Sequence, residues 1–289
     1  MGLIKRILAV FFVFVFAAGL FGCSKIGAPA TTEELLVRYV ANENVGNFDA
    51  KVNVDLSVNA LGVRAVVPVK ADLRVANNVA HGTIEVDLSS LNTRNYTMEI
   101  YAELLNDAIN CYIGTPSDAG TAWKLWKINM SSKIDIFTVT DLLSSSELTL
   151  IAKDSDPEVC YELATPTSKV LETAFNVAAD PVQAGGMGEQ DMIDAVSNDK
   201  VRVGFTKDCL MRSLNTSALF TLKSAETNNV MVRMGIDVAA TLDEYGKIDP
   251  AEVAIPNEVR QEAVATKEPV DVIEVIGADS PLAGAVGQR

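Results

Sequence analysis

Histidine is nearly absent from this sequence: one, His81, occurs in 289 residues. A single imidazole excludes the multi-histidine metal centres and leaves room for at most one catalytic triad. No Gly-x-Ser-x-Gly or Cys-His signature accompanies His81, which stands beside Gly82 and reads as a strand-end residue. Cysteine is sparse too. The chain has four and no Cys-x-x-Cys, which removes the zinc ribbon and the thioredoxin-type centre. Basic side chains are outnumbered, 24 against 38 acidic, for a formal charge of −14. Such a polyanion repels phosphate backbones, so nucleic-acid binding is excluded, and it lacks the Lys/Arg clusters that adsorb a protein to anionic lipid. Aromatics make up 6% of the chain, and five of the ten Phe lie in the first 22 residues, so stacking platforms for sugars are scarce. Disorder as the general state is ruled out by an apolar content of 48%.

Several motifs fall short of the chemistry they suggest. Asp154-Ser155-Asp156 and Glu189-Gln190-Asp191 with Asp194 are the densest acid clusters, but no EF-hand loop with its sixth-position Gly surrounds them. They read as a solvated loop and a helix start. Gly185-Gly186-Met187-Gly188 lacks the Lys and the preceding strand of a phosphate loop and reads as a hinge. No pair of carboxylates is singled out for glycoside hydrolysis. The sequence therefore points to a protein that is not an enzyme, with no metal and no cofactor.

The N-terminus is distinctive. A basic head, Lys5-Arg6, precedes fifteen uncharged residues from Ile7 to Phe21. That run is too short to span a bilayer and reads as a secretion signal. Leu20-Phe21-Gly22-Cys23 closes it, and this ending resembles the lipobox of bacterial lipoproteins, with Phe21 bulkier than the usual middle residue. The resemblance implies cleavage before Cys23 and a diacylglycerol on its sulfur. The expected address is the extracytoplasmic face of the cell membrane, held there by lipid, since each buried CH₂ contributes about 0.8 kcal/mol. Residues 1–22 are then the signal peptide and 23–30 a tether. Ser24, unlike Asp, permits onward sorting where an outer membrane exists.

Outside the cytosol a disulfide is permitted. Of Cys111, Cys160 and Cys209, the pair Cys160 and Cys209 is favoured, because both fall in strands flanking one helical insert; three free thiols are the alternative.

From Thr31 the chain turns regular. Thr31-Thr32-Glu33-Glu34 marks a helix start, followed by an apolar face of Leu35, Leu36, Tyr39 and Val40 to about residue 44. Then Val52, Val54, Leu56 and Val58 alternate with polar residues, as do Val63 to Val75, Ile84 to Leu88 and Tyr96 to Leu104. Four period-2 runs split by Asn/Gly/Ser turns predict an antiparallel meander with one buried face. Pro68 within the second run predicts an edge position or a bulge. Strands continue at Ile109 to Gly114 and Trp123 to Asn129. The spacing of Trp123 and Trp126 puts them on opposite faces, one in the core and the other at a rim. The middle predicts a short helix over 137–143, a strand over 157–163, a helix opened by Thr165-Pro166 and a second over 189–197. Strands return at Val201 to Phe205, Leu210 to Leu222, Val230 to Val238 and Ile248 to Pro256, and 263–289 reads as an acidic tail. Strands, a helical insert and strands again form one α+β unit over residues 31–262.

A lipobox, a short amphipathic helix, a long meander, central helices and further strands resemble the LolA–LppX–LprG superfamily of envelope lipoproteins, a pattern that uncharacterised Gram-positive lipoproteins share. Glu33-Glu34-Leu35-Leu36, Trp126-Lys127-Ile128 and Ile255-Pro256-Asn257-Glu258-Val259 support the likeness over residues 31–262. It implies a strongly curved antiparallel half-barrel with helices packed on its concave face, and room between them for an acyl chain or a whole lipid. The expected lining is Val54, Leu56, Ile84, Val86, Met98 and Ile100, with Trp126 at the mouth or in the core. The alternative is the same scaffold filled by its own side chains, working as a structural or interaction lipoprotein toward an unknown protein partner.

Overall fold

A computed structural model describes residues 29–42, 44–60, 63–91, 95–106, 108–117, 120–130, 146–150, 158–177, 193–196, 199–223 and 230–266. The anchor cysteine, the expected helix over 137–143 and the Gly-rich hinge lie outside them.

The first described element is helix α1 (Thr32–Val40). Thr31 caps it, its hydroxyl accepting from the Glu34 amide at 3.1 Å, and Glu33 and Glu34 occupy the first turn, where the helix dipole favours acids. Arg38 in the last turn pairs with Glu34. Strands β1 (Asn47–Ala60), β2 (Val63–Ala76), β3 (Val79–Val86), β4 (Tyr96–Leu104), β5 (Ala108–Ser117) and β6 (Gly120–Asn129) follow as an antiparallel meander. Asn77 and Asn78 turn β2 into β3 with φ of 51° and 64°, the two left-handed residues that a tight hairpin needs and that Asn tolerates.

A second meander comprises β7 (Glu147–Leu150), β8 (Tyr161–Pro166), β9 (Lys200–Phe205), β10 (Met211–Lys223) and β11 (Val230–Asp243), with helix α2 (Thr167–Val177) between β8 and β9. β11 pairs antiparallel with β1, so the two meanders fuse, with a short C-terminal strand β12 (Val264–Thr266), into one curved sheet ordered β12-β6-β5-β4-β3-β2-β1-β11-β10-β9-β8-β7. The architecture is α+β, an open antiparallel half-barrel. Along the seam, Asp49 faces Asp243 and Asp55 faces Asp237, like charges set directly opposite.

Pro68 lies one residue beyond the last rung that β3 makes with β2, the Val69–Val86 pair. Its missing N–H is therefore not needed there, and its carbonyl accepts from the Asp87 amide at 2.8 Å. Gly82 is required by close approach: a Cβ there would lie 1.9 Å from the Asp72 carbonyl oxygen.

Helices α1 and α2 cover the concave face, as expected. Leu35, Leu36 and Tyr39 of α1 and Val170 of α2 join Phe48, Val52, Leu73, Ile100, Val203 and Phe205 in the main core. The C-terminal segment departs from expectation. Ile248 to Pro256 is not a strand: it contains helix α3 (Pro250–Val253) and leads into α4 (Asn257–Glu262) and a short strand β12 (Val264–Thr266). Asp249 caps α3, accepting from the Ala251 amide at 2.9 Å, and Pro250 suits the first helical position. These helices pack on the outer face, Val253 against Ala76, and Ile255 and Val259 against Tyr101 and Tyr112. β12 then pairs parallel with β6, so ordered chain extends into what reads as tail.

Candidate functional site

Alternation and register together build a continuous apolar inner face. Leu148, Leu163, Val203, Leu214, Ala240, Val52, Ala71, Ile84 and Met98 stand opposite one another across nine successive strands. The next row runs Thr216, Val238, Val54, Val69, Val86 and Tyr96. Beyond it come Ala218, Ile236, Leu56 and Val67, and then Phe220, Met234, Val58 and Ala65.

Burial falls along β1 through these rows and returns in part at the last, where Phe220 is 4% exposed and Ala65 8%. On β1, Val52 is 3% exposed and Val54 8%, whereas Leu56 and Val58 are only half-buried. The same holds for Val67, Val69, Val86, Tyr96, Ala218, Met234, Ile236 and Val238, which form one half-buried apolar patch. The seven expected lining residues all lie on the inner face. Val54, Ile84, Met98, Ile100 and Trp126 are in the core cluster, and Leu56 and Val86 pack against it at the less covered end. The β10 and β11 members of the patch are not among the expected lining residues, although their alternation is visible in the sequence. What was missing was the seam that lays β11 beside β1. Among the described inner-face positions of β1 to β6, Lys124 on β6, opposite Ile113, is the one residue of acidic or basic type.

The two tryptophans separate as their spacing predicts. Trp126 is buried in the inner core, and Trp123 lies on the outer face against Tyr101, ring centroids 5.7 Å apart. Gly114 makes room for it, since a Cβ there would stand 2.8 Å from the Trp123 ring.

The outer face carries two polar features. A groove of about 600 Å³ is lined by Asn53, Asp55, Asn215, Ser217 and Asp237, with Lys200 and Arg202 along one side. Ser217 donates to Asp237, Arg202 pairs with Glu162 at 2.6 Å and Lys200 with Glu147 at 2.8 Å. The Lys200 hydrogen bond pulls the Glu147 carboxyl below its usual range. The second feature surrounds His81. Its ring stacks on Tyr101 at 4.1 Å, Nε2 lies 2.9 Å from the Glu99 carboxylate and Nδ1 3.2 Å from the Glu252 carbonyl. Burial, with the Glu99 charge adding to it, pushes the Tyr101 phenol up to about 12. Close by, Arg260 grips Glu103 with both nitrogens, at 2.8 and 3.0 Å, and lies 5.8 Å from the Tyr112 ring centre.

The expected bridge between Cys160 and Cys209 is not made: Cys111, Cys160 and Cys209 are free thiols. Cys209 occupies the left-handed turn between β9 and β10, with φ of 61°, and its thiol faces Arg38 of α1. Burial pushes that thiol up and the guanidinium opposes the shift. Among the described residues no group of three His, Cys, Asp or Glu side chains could hold a metal ion. Of the two acid clusters, only Asp194 falls within the described residues.

No protein-family profile and no curated protein sequence matches the chain. Among solved structures, a DUF1329 family protein from Desulfovibrio piger is similar with a TM-score of 0.29 and 12% identity, covering 79% of this chain and 98% of that one. A LolA superfamily protein from Nitrosomonas europaea is similar with a TM-score of 0.24 and 11% identity, covering 79% and 99%. Likenesses this slight assign neither family nor function, and the half-barrel rests on its own strand order and register.

Proposed function

We propose that this chain is a lipid-anchored extracytoplasmic protein that holds a lipid or another hydrophobic molecule against the inner face of its half-barrel, in the service of lipid traffic within the envelope. The observation that carries the reading is the half-buried apolar patch from Val67 on β2 through Leu56 to Ile236 and Ala218 on β10. An apolar surface of that continuity, left partly open inside a concavity, is a place where an acyl chain escapes water. Each methylene moved there contributes about 0.8 kcal/mol. The mechanism is desolvation, and no bond is made or broken. Cys23, acylated, would tether the domain to the membrane that supplies the ligand.

The test is organic extraction and mass spectrometry of a Cys23→Ser variant purified without detergent. A stoichiometric acyl-bearing species is expected. Repeated recovery of protein without one, together with no uptake of a fluorescent fatty acid, would count decisively against carriage.

A further inference from the structure

His81 sits between two acceptors. Its Nε2 lies 2.9 Å from the Glu99 carboxylate, on the neighbouring strand, and its Nδ1 lies 3.2 Å from the Glu252 main-chain carbonyl, on α3. Neither partner can donate. A neutral imidazole has one N–H and one lone pair, so it can satisfy only one of them, whereas the imidazolium donates to both. A carboxylate is a stronger acceptor than an amide carbonyl, and the neutral ring keeps its proton on Nε2. The lone pair on Nδ1 then faces the Glu252 oxygen. The bond that depends on the second proton is thus one of the ties between the sheet and the C-terminal segment, beside Arg74–Glu252, Arg260–Glu103, the Asn47–Ile248 hydrogen bonds and the β12–β6 pairing.

We propose that His81 is a proton-operated buckle: protonated, it helps fasten residues 248–266 to the outer face of the half-barrel, and neutral, it gives up the Glu252 carbonyl and loosens that segment, while Arg74 still holds the Glu252 carboxylate.

The groups facing the ring fit this role. On β2, Arg74 stands opposite His81 in register, but its guanidinium is drawn to Glu252 at 2.7 Å and toward Asp49 at 3.7 Å. On β4, Glu99 accepts from the Tyr101 hydroxyl at 3.3 Å as well as facing the imidazole, and Tyr101 itself stays a neutral phenol. Glu252 belongs to α3, and Glu258 of α4 acts on Tyr101 through its charge. Histidine is the side chain whose ordinary titration falls between pH 5 and 8. What the buckle holds is consequential: the segment supplies Ile255 and Val259, which cover Tyr101 and Tyr112, and β12, which lies along β6.

Hydrogen–deuterium exchange of the full-length chain at pH 5.5 and 7.5, corrected for the intrinsic rate, tests this. Protection of residues 248–266 should drop about tenfold at the higher pH, the worth of one charge-assisted hydrogen bond, while peptides from β1 and β11 stay unchanged. In His81→Gln the drop should vanish. Equal protection at both pH values in the parent chain, or the same drop in His81→Gln, would overturn the proposal. Should His81→Gln not fold, nitrogen-15 imidazole spectra of the parent decide, since a chain with one histidine gives one unambiguous set of signals. A neutral ring protonated at Nε2 supports the buckle, and one protonated at Nδ1 refutes it.

Discussion

The two ends of the inner face carry the same alternation and different fates. Near α1, Leu73, Phe48 and Ile109 are wholly buried, locked by helix side chains on one side and sheet neighbours on the other. Farther along the same sheet, Leu56, Val67 and Ile236 face the same way and stay half-open. Period-2 patterning sets the direction of a side chain; whether it ends as core or as lining depends on what lies above it. The same greasy surface thus serves stability at one end and, in the proposed reading, a ligand at the other.

That contrast can be broken deliberately. The largest effect is expected at the closed end: Leu73→Ala should cost about 3–5 kcal/mol in chemical denaturation, against about 1 kcal/mol for Leu56→Ala, where water already reaches. Equal costs would mean that both ends are core. Next, Leu56→Asp should leave the fold cooperative with a loss of about 1–2 kcal/mol, yet lower uptake of a fluorescent fatty acid at least tenfold. Retained uptake would place any ligand elsewhere. Gly82→Ala, which forces a Cβ against the Asp72 carbonyl, should cost about 1–3 kcal/mol and shift the thermal midpoint without touching α1. Thr31→Ala removes the cap of the helix that covers the closed end and should cost about 1 kcal/mol.

The smallest effect concerns the seam. Burial, with Asp243 adding to it and Arg74 opposing, holds the Asp49 carboxyl above its ordinary value of 3.8. The folded state therefore favours the protonated form. The stability this group contributes is complete below 3.8 and is lost as pH rises through the higher folded value. Asp49→Asn should flatten that stretch of the pH–stability curve and gain at most about 1 kcal/mol at neutral pH, a ceiling kept low because the side chain still meets solvent. A loss at pH 7 would show that its attraction to Arg74 dominates.

Much of the sheet was legible. Val52 to Val58, Val63 to Val75 and Val230 to Val238 alternate so strictly that strand and facing follow directly, and the Asn/Gly/Ser turns mark the breaks between them. Helix α1 was announced by Thr31 and its acids, although it stops at Val40, short of residue 44. The C-terminal segment was misread because Ile248, Val253 and Ile255 look strand-like, whereas Asp249, Pro250 and Pro256 set helix starts there; its hydrophobics are anchors on the outer face. The open patch was half-seen. Its β1 and β3 members could be named, but pairing between residues 47–60 and 230–243 is a long-range fact that no local pattern encodes. The pairing of Cys160 with Cys209 assumes that both lie in strands, whereas Cys160 precedes β8 and Cys209 occupies the left-handed turn between β9 and β10.

That long-range seam has a bearing on how the protein comes into being. A chain made from its first residue onward can zip β1 through β6 as each hairpin emerges, but one flank of β1 stays bare until residue 230 exists. During that wait the future inner wall is two unjoined panels, each with a raw greasy border. A truncation anywhere before β11 should consequently yield clumped material instead of a smaller working half, and whatever escorts the nascent chain has its hardest task at the point where beginning and end must find each other.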